Sequence, residues 1–212
     1  MKYRDKWPIY AEQCDRMQVK PDRVAEFDRM AHYALANKNI YEEASSQTKS
    51  KFPWYGIAVI HKRESDAQDK QGNPLFTSYL GNGQSLARKT TIVPIDRGPF
   101  CTSEDLQDPA KCRKAFVAGC LDALRLEKID QQAPPWPLEK VLYWVENLNG
   151  LGYEYMGIPS PYIFGGTNIQ VIGKYTRDHH YDGSVWDSQP GCAPMLYEIF
   201  RLMPDFHVLR ES

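Results

Sequence analysis

Apolar residues recur at three- and four-residue steps in several segments of this chain, and two long polar segments interrupt them. The periodic segments cover about 23–46, 53–65, 115–124 and 138–146, and a last helix is expected at about 194–203. Such spacing is typical of amphipathic helices. The sequence therefore predicts a mainly α (α+β) fold with long loops and at most a small β-hairpin or sheet.

The two polar segments, 66–100 and 157–188, are expected to form the loops of a functional site. The first carries the turn signals Gln71-Gly72-Asn73-Pro74 and Gly81-Asn82-Gly83-Gln84. Within it, the β-branched run Thr90–Pro94 predicts a short strand. Long loops in a compact domain are usually functional or disordered, and the aromatic residues of the first loop favour an ordered one.

The overall composition narrows the classes of partner. The 212 residues are 42% hydrophobic, enough for one domain with a sizeable core, and 26 basic residues nearly balance 27 acidic ones. This balance argues against nucleic acid or an anionic membrane as the main partner. The N-terminus lacks the apolar core of a signal peptide, and no run is apolar enough to span a bilayer.

The cysteine and histidine patterns offer two weaker readings. None of the five cysteines has C-x-x-C spacing, so neither a structural zinc site nor a thioredoxin-like motif is expected, although Cys101 and Cys112 could close a small loop. No cofactor is expected. Asp178, His179, His180 and Asp182 could also be read as a metal cluster, but neighbouring histidines point in different directions and the segment lacks H-E-x-x-H spacing, so no metal site is expected. Cys192 could act as a nucleophile beside one of those histidines, although a cysteine in this context is more often buried.

Glu64 is the strongest candidate for a catalytic group. It lies at the end of the apolar helix predicted over 53–65 and just before the first polar loop. Partial burial there would raise the pKa of its carboxyl group and keep a proton available for a leaving oxygen. The alternative is a helix-end carboxylate paired with Lys62 or Arg63. His61, on the same helix face, is expected to pack or hydrogen-bond.

Two motifs relate this helix end to a known group of enzymes. Arg63-Glu64-Ser65 and Leu148-Asn149-Gly150-Leu151-Gly152-Tyr153 resemble the Glu-Ser and Tyr-Asn-x-Gly-x-Gly motifs of soluble lytic transglycosylases and goose-type lysozymes. From about Arg29 onward the chain resembles bacterial and phage lysozyme-family peptidoglycan hydrolases. The resemblance implies a lysozyme-like catalytic domain over 23–212, preceded by an N-terminal extension over 1–22.

The resemblance also implies roles for individual residues. Glu64 would be the general acid, and Ser65 would orient its carboxyl group. Asn149, with Gly150 and Gly152 behind it, would line the floor of the cleft. Glycines permit positive φ and close approach of a sugar ring, although Gly150 also suits an ordinary helix C-cap.

The second polar loop mixes aromatic, amide and hydroxyl side chains, which suits a glycan. Tyr162, Thr167, Asn168 and Tyr175 are the candidates for the groove, and the alternative is that these side chains plug the core. Asp178 and Asp182 are the candidates for a second catalytic carboxylate.

The resemblance finally implies an activity and a place of action. The expected activity is that of a muramidase, which hydrolyses the MurNAc-GlcNAc β-1,4 bond of peptidoglycan. The alternatives are a lytic transglycosylase that forms 1,6-anhydro products, and a peptidoglycan-binding module without turnover. The enzyme would act in the periplasm or cell wall, delivered by a secretion system, by phage lysis or as part of a larger protein. An immunity or inhibitor protein is a possible partner.

Overall fold

Helices dominate the computed structural model, which is described for residues 3–65, 67–177 and 180–211. The helices there are α1 (Trp7–Arg16), α2 (Val24–Ala36), α3 (Lys38–Gln47), α4 (Trp54–Glu64), α5 (Pro109–Leu126), α6 (Leu138–Leu148), α7 (Gly152–Met156), α8 (Pro161–Phe164) and α9 (Cys192–Arg201). Strands β1 (Lys174–Arg177) and β2 (His180–Asp182) form an antiparallel hairpin. The prediction of a mainly α fold with a small hairpin is confirmed.

The predicted helices are present, but α1, α7 and α8 lie in segments for which no helix was predicted. The helix predicted over 53–65 is α4, and Pro53 stands at its N-cap. The helix predicted over 23–46 is divided into α2 and α3 at Asn37, whose φ of −108° and ψ of 14° leave the helical region. The strand predicted at Thr90–Pro94 is wrong. The backbone of Thr90 instead bonds across a tight loop, donating to the Arg97 carbonyl and accepting from Asp96 N–H.

The chain divides into two compact units, of which unit 2 is the continuous stretch Tyr33–Trp136. Within unit 2, α3 packs against both α4 and α5. An aromatic cluster fills the space between them, with the rings of Phe76 and Phe116 4.9 Å apart and edge-on. Eight consecutive residues of α4, Trp54 to His61, are buried. This helix is therefore the central element of unit 2.

Unit 1 consists of Met1–His32 and Pro137–Ser212. The N-terminal residues contribute α1, which packs against α6, while α8 packs against α9. A backbone hydrogen bond from Leu138 N–H to the Leu209 carbonyl (2.8 Å) joins the start of α6 to the C-terminal segment. The hairpin also belongs to this unit, with Lys174 opposite Asp182 and Tyr175 opposite Tyr181.

All five cysteines are free thiols, so Cys101 and Cys112 are not bonded to each other. Among the helices described, none combines the length and the apolar character needed to cross a bilayer.

Candidate active site

The end of α4 brings Glu64 to the surface of unit 2. One turn earlier, Ile60 and His61 are buried, with 0% and 1% of their surfaces exposed. Glu64 is the last residue of the helix and is half-buried. The buried residues of α4 fix the backbone beneath this carboxyl group, so its position is set by the core rather than by a flexible loop.

His61 is a neutral, buried part of this support. Its Nε2 lies 3.1 Å from the Leu75 carbonyl oxygen, which can only accept, so Nε2 carries the proton. Its Nδ1 then accepts from the Tyr41 hydroxyl at 3.0 Å. Burial lowers the pKa of His61 to about 3. The prediction that this histidine packs and hydrogen-bonds is confirmed.

Ser65 ties the end of α4 to the polar loop that follows. Its side chain is buried, and its hydroxyl donates to the Ala67 carbonyl oxygen at 2.8 Å. The Ser65 Oγ also lies 3.1 Å from the Ser78 Oγ. Ser78 in turn forms a β-bridge with Ser85. Three serines thus connect the helix end with the Gly81–Gln84 turn.

A cleft opens on the loop side of Ser65, Ser78 and Ser85. Its volume is about 520 Å³, comparable with a small-ligand site. Its lining combines the hydroxyl or amide side chains of Thr77, Ser78, Gln84, Ser85 and Thr91 with the cations Arg88 and Lys89. Ala67, three residues after Glu64, is also part of the lining. None of the described lining residues is a carboxylate. The cleft therefore offers hydroxyl, amide and cationic groups close in sequence to Glu64.

Gln84 holds one wall of the cleft in place. Its Oε1 accepts from Thr91 N–H at 2.7 Å and from Ile92 N–H at 3.3 Å, while its Nε2 donates to the Thr91 hydroxyl at 3.0 Å. The neighbouring Asn82 donates to the Ile92 carbonyl at 3.1 Å. These bonds satisfy backbone groups that a strand would otherwise pair, so an irregular segment becomes a defined wall.

The predicted floor residues lie in unit 1. Asn149 is the exposed C-cap of α6, and Gly150 follows it with φ of 78°. Gly150 therefore occupies the left-handed position of an ordinary helix end. A side chain on Gly152 would approach the Tyr175 hydroxyl to 2.6 Å, so an aromatic ring of the protein occupies the space that this glycine leaves open.

Three predicted groove residues take part in interactions within unit 1. Tyr162 and Thr167 are 2% and 0% exposed, and the Thr167 hydroxyl donates to the Phe164 carbonyl at 2.7 Å. The exposed Asn168 accepts from Gln18 N–H at 2.8 Å and thereby fixes the chain after α1. Tyr162 and Thr167 thus lie in the core of unit 1, where their surfaces are covered by protein.

The hairpin brings two further predicted residues together. Tyr175 is half-buried, and its ring lies 5.1 Å from that of Tyr153. Asp182, at the end of β2, accepts from the hydroxyl and the N–H of Ser184 at 2.6 and 2.9 Å. These hydrogen bonds lower the pKa of Asp182, which keeps the carboxylate ionised at neutral pH.

Two predicted residues, Asp178 and His179, lie outside the described residues. Within 3–65, 67–177 and 180–211, no group of three histidine, cysteine or carboxylate side chains could hold a metal ion. Cys192 is fully buried at the start of α9.

The sequence analysis did not assign the cleft residues Ser78, Ser85 and Arg88. A usable signal was present, because hydroxyl-bearing residues flank the Gly81–Gln84 turn shortly after Glu64.

A second acid that the sequence analysis did not single out is Glu146 in α6 of unit 1. It is 2% exposed, and its Oε2 accepts from the Tyr10 hydroxyl at 2.6 Å. Burial raises the pKa of Glu146 to about 7, against the opposing effect of the Tyr10 hydrogen bond. Its pKa suits a general acid, but a carboxyl group this deeply buried cannot touch a substrate.

Comparisons with known protein families, with curated proteins and with solved structures found no match for this chain. Any assignment of function therefore depends on the sequence motifs and on the geometry of the candidate site.

Proposed function

We propose that this chain is an enzyme that cleaves the glycan strand of peptidoglycan at the MurNAc-GlcNAc β-1,4 bond, with Glu64 as the general acid. One observation carries the proposal: a half-buried carboxyl group stands at the end of a buried helix, and an open polar cleft begins three residues later. A general acid needs a fixed position together with access to the leaving oxygen. The end of α4 supplies the fixed position, and the half-buried side chain of Glu64 is partly open to solvent.

The lining of the cleft fits an oligosaccharide. Sugar edges present hydroxyl and amide groups, and the cleft offers Thr77, Gln84 and Ser85 as donors and acceptors. The Gln84 bonds hold one wall in place, which lowers the entropic cost of binding. The substrate would place its glycosidic oxygen against the Glu64 carboxyl group and its neighbouring rings along the cleft.

Two outcomes follow protonation of the leaving oxygen. A second carboxylate that activates water gives hydrolysis, and Asp182, ionised at neutral pH, and Asp178 are the candidates. Without a second carboxylate, the 6-hydroxyl of the muramic acid attacks its own anomeric carbon, gives its proton to the Glu64 carboxylate left by the first step and forms a 1,6-anhydro ring. This lytic transglycosylase reaction is the second candidate function, because Arg63-Glu64-Ser65 resembles the Glu-Ser motif of soluble lytic transglycosylases and the reaction needs no carboxylate besides Glu64.

The test is the release of soluble muropeptides from purified sacculi, followed by mass spectrometry. We expect Glu64→Gln to lower the rate by about 100-fold or more, because general acid catalysis contributes about 10² to 10⁴. The matched control is Glu42→Gln on α3, an exposed glutamate with the same change in charge. Reducing ends on the wild-type products identify a muramidase, and 1,6-anhydro ends identify a transglycosylase.

Two results would contradict the proposal. Release by Glu64→Gln at the wild-type rate would remove Glu64 from the chemistry. Binding of the wild-type protein to sacculi without any soluble product would identify a binding module instead. For the hydrolytic outcome, either Asp182→Asn or Asp178→Asn should abolish reducing-end products while leaving the unfolding transition unchanged, and the variant that does so identifies the carboxylate that activates water.

A further inference from the structure

Arg88 differs from the other cations of unit 2 because it lines the cleft without an acidic partner. Its side chain is exposed, and it forms no ion pair with any residue in the described part of the chain. The adjacent Lys89 bonds to Asp96 at 3.1 Å. Three other arginines of unit 2 pair with carboxylates: Arg97 with Asp122, Arg113 with Glu43 and Arg125 with Asp130.

The backbone that carries Arg88 is held on both sides. Leu86, fully buried, donates its N–H to the Thr77 carbonyl at 2.9 Å and accepts from Phe100 N–H at 2.8 Å. Gly98 approaches the Arg88 carbonyl so closely that an added Cβ would lie 3.1 Å from it. The guanidinium group therefore extends into solvent from an anchored backbone, which limits the region that it can reach.

The charges of the cleft lining are all positive among the described residues, and the remaining lining groups are neutral. Hydroxyl and amide groups can bind the neutral edges of a glycan, but they supply no counter-charge for the guanidinium group of Arg88. A guanidinium group matches a carboxylate in geometry and forms two parallel hydrogen bonds with it. An acidic substituent on the glycan would supply that carboxylate.

We propose that Arg88 is a specificity-determining residue that binds a carboxylate of the peptide attached to the glycan strand. This inference rests on the proposed function and names its substrate class: a β-1,4 glycan with carboxylate-bearing peptide substituents, in preference to a neutral glycan such as chitin. The hydroxyl group of Ser85 binds the sugar, and Arg88 selects the acidic substituent.

The experiment measures binding of the full chain to insoluble sacculi in the Glu64→Gln background, so that turnover does not interfere. The sacculi are used in two forms: native, and with their carboxylates converted to amides by carbodiimide and ammonia. We expect Arg88→Gln to weaken binding to native sacculi by about 2- to 5-fold, as expected for loss of a solvent-exposed ion pair. On amidated sacculi, the parent and Arg88→Gln should bind equally weakly.

Arg29→Gln is the matched control. Arg29 is exposed on α2 and forms no ion pair within the described residues, so the variant removes the same charge from a surface outside the cleft. We expect it to bind native sacculi like the parent. Arg88→Lys should recover only part of the affinity, because an ammonium group lacks the planar pair of donors. Binding to chitin should be the same for all variants.

The inference is overturned if Arg88→Gln weakens binding to native and amidated sacculi by the same factor, or if Arg29→Gln has an equal effect. It is also overturned if the parent binds neither form. Its failure is distinguishable from failure of the proposed function, because release of muropeptides by the wild-type chain is measured separately. A carboxylate-dependent effect of Arg88 without turnover would support a binding module that selects peptide-bearing glycan.

Discussion

Two glutamates near the ends of helices have opposite surroundings, Glu64 in unit 2 and Glu146 in unit 1. Glu64 is half-buried where α4 ends, and a polar cleft begins three residues later. Glu146 is enclosed by unit 1, and its pKa is raised to about 7 by burial. Its Oε1 has no hydrogen-bond partner among the described residues. The comparison shows that a shifted pKa alone does not mark a catalytic acid, because catalysis also requires access.

Burial shifts a pKa in each unit, but the group is a base, His61, in unit 2 and an acid, Glu146, in unit 1. It lowers the pKa of His61 to about 3 and raises the pKa of Glu146 to about 7, so each group is driven toward its neutral form. The two shifts have opposite consequences for stability against pH. Unit 2 should lose stability in acid through His61, whereas unit 1 should gain it through Glu146.

The largest expected effect is the acid sensitivity conferred by His61. Its folded pKa lies below its unfolded value of 6.5, so its stabilising contribution is complete above pH 6.5 and is lost as pH falls toward 3. The loss over that window amounts to up to roughly 5 kcal/mol. His61→Gln keeps a donor for the Leu75 carbonyl but does not titrate.

Hydrogen exchange of the α4 amides between pH 7 and 4.5 measures this effect. Protection in the wild type should fall more steeply than in His61→Gln. Equal slopes in the two proteins would show that His61 does not control the acid sensitivity of unit 2.

The next effect concerns Glu146, whose folded pKa lies above its unfolded value of 4.5. The cost of ionising it is absent below pH 4.5, grows as pH rises and is complete above about 7. Glu146→Gln should therefore stabilise α6 at pH 8 by up to roughly 3 kcal/mol and have little effect at pH 4.5. Amide exchange in α6 at the two pH values provides the measurement.

Glu139, the other fully buried glutamate of α6, provides the matched control. It bonds to the Arg210 side chain and accepts from Glu211 N–H at 3.1 Å. Glu139→Gln should destabilise α6 at pH 8, because it leaves Arg210 without its buried anionic partner. If Glu146→Gln and Glu139→Gln change the stability of α6 at pH 8 in the same direction, the proposed difference between the two glutamates is wrong.

A smaller effect is expected when the contact between Ser65 and Ser78 at the end of α4 is removed. Ser78→Ala removes the partner of Ser65, which should cost about 1 kcal/mol of stability. Muropeptide release should also fall several-fold, because the cleft then loses its link to the helix end. Urea unfolding and release assays measure the two quantities. Ser103→Ala, at an exposed serine, should change neither.

The smallest expected effect is that of Glu64→Gln on stability. Glu64 is half-buried at a helix end, so we expect a change of less than about 1 kcal/mol in urea unfolding. Together with a large loss of activity, this result would separate Glu64 from Glu146 most sharply. A loss of several kcal/mol would instead assign Glu64 a structural role.

Local patterns predicted the helices well. α4 lies within one residue of its predicted bounds, because a proline start and a run of apolar residues are both local signals. The strand predicted at Thr90–Pro94 failed, because Gln84 and Asn82 bind that backbone from earlier in the chain. The β propensity of a residue carries no information about hydrogen bonds from side chains elsewhere in the chain.

The candidate site was predicted only in part, for the same reason. The position of Glu64 at a helix end follows from its own segment, whereas the cleft depends on contacts such as that between Ser65 and Ser78. The aromatic and hydroxyl composition of 157–188 suited both a groove and a core. Tyr162 and Thr167 proved to be core residues, since burial is decided by packing rather than by composition.

Unit 1 is built from two separate stretches of the chain, which affects how it can fold during synthesis on the ribosome. Tyr10 bonds to Glu146, which is 136 residues later, a delay of roughly 7 to 30 seconds at 5–20 residues per second. All of unit 2 is made before that partner exists. The apolar face of α1 therefore stays uncovered while the intervening chain can already fold, which makes α1 a target for chaperones during synthesis.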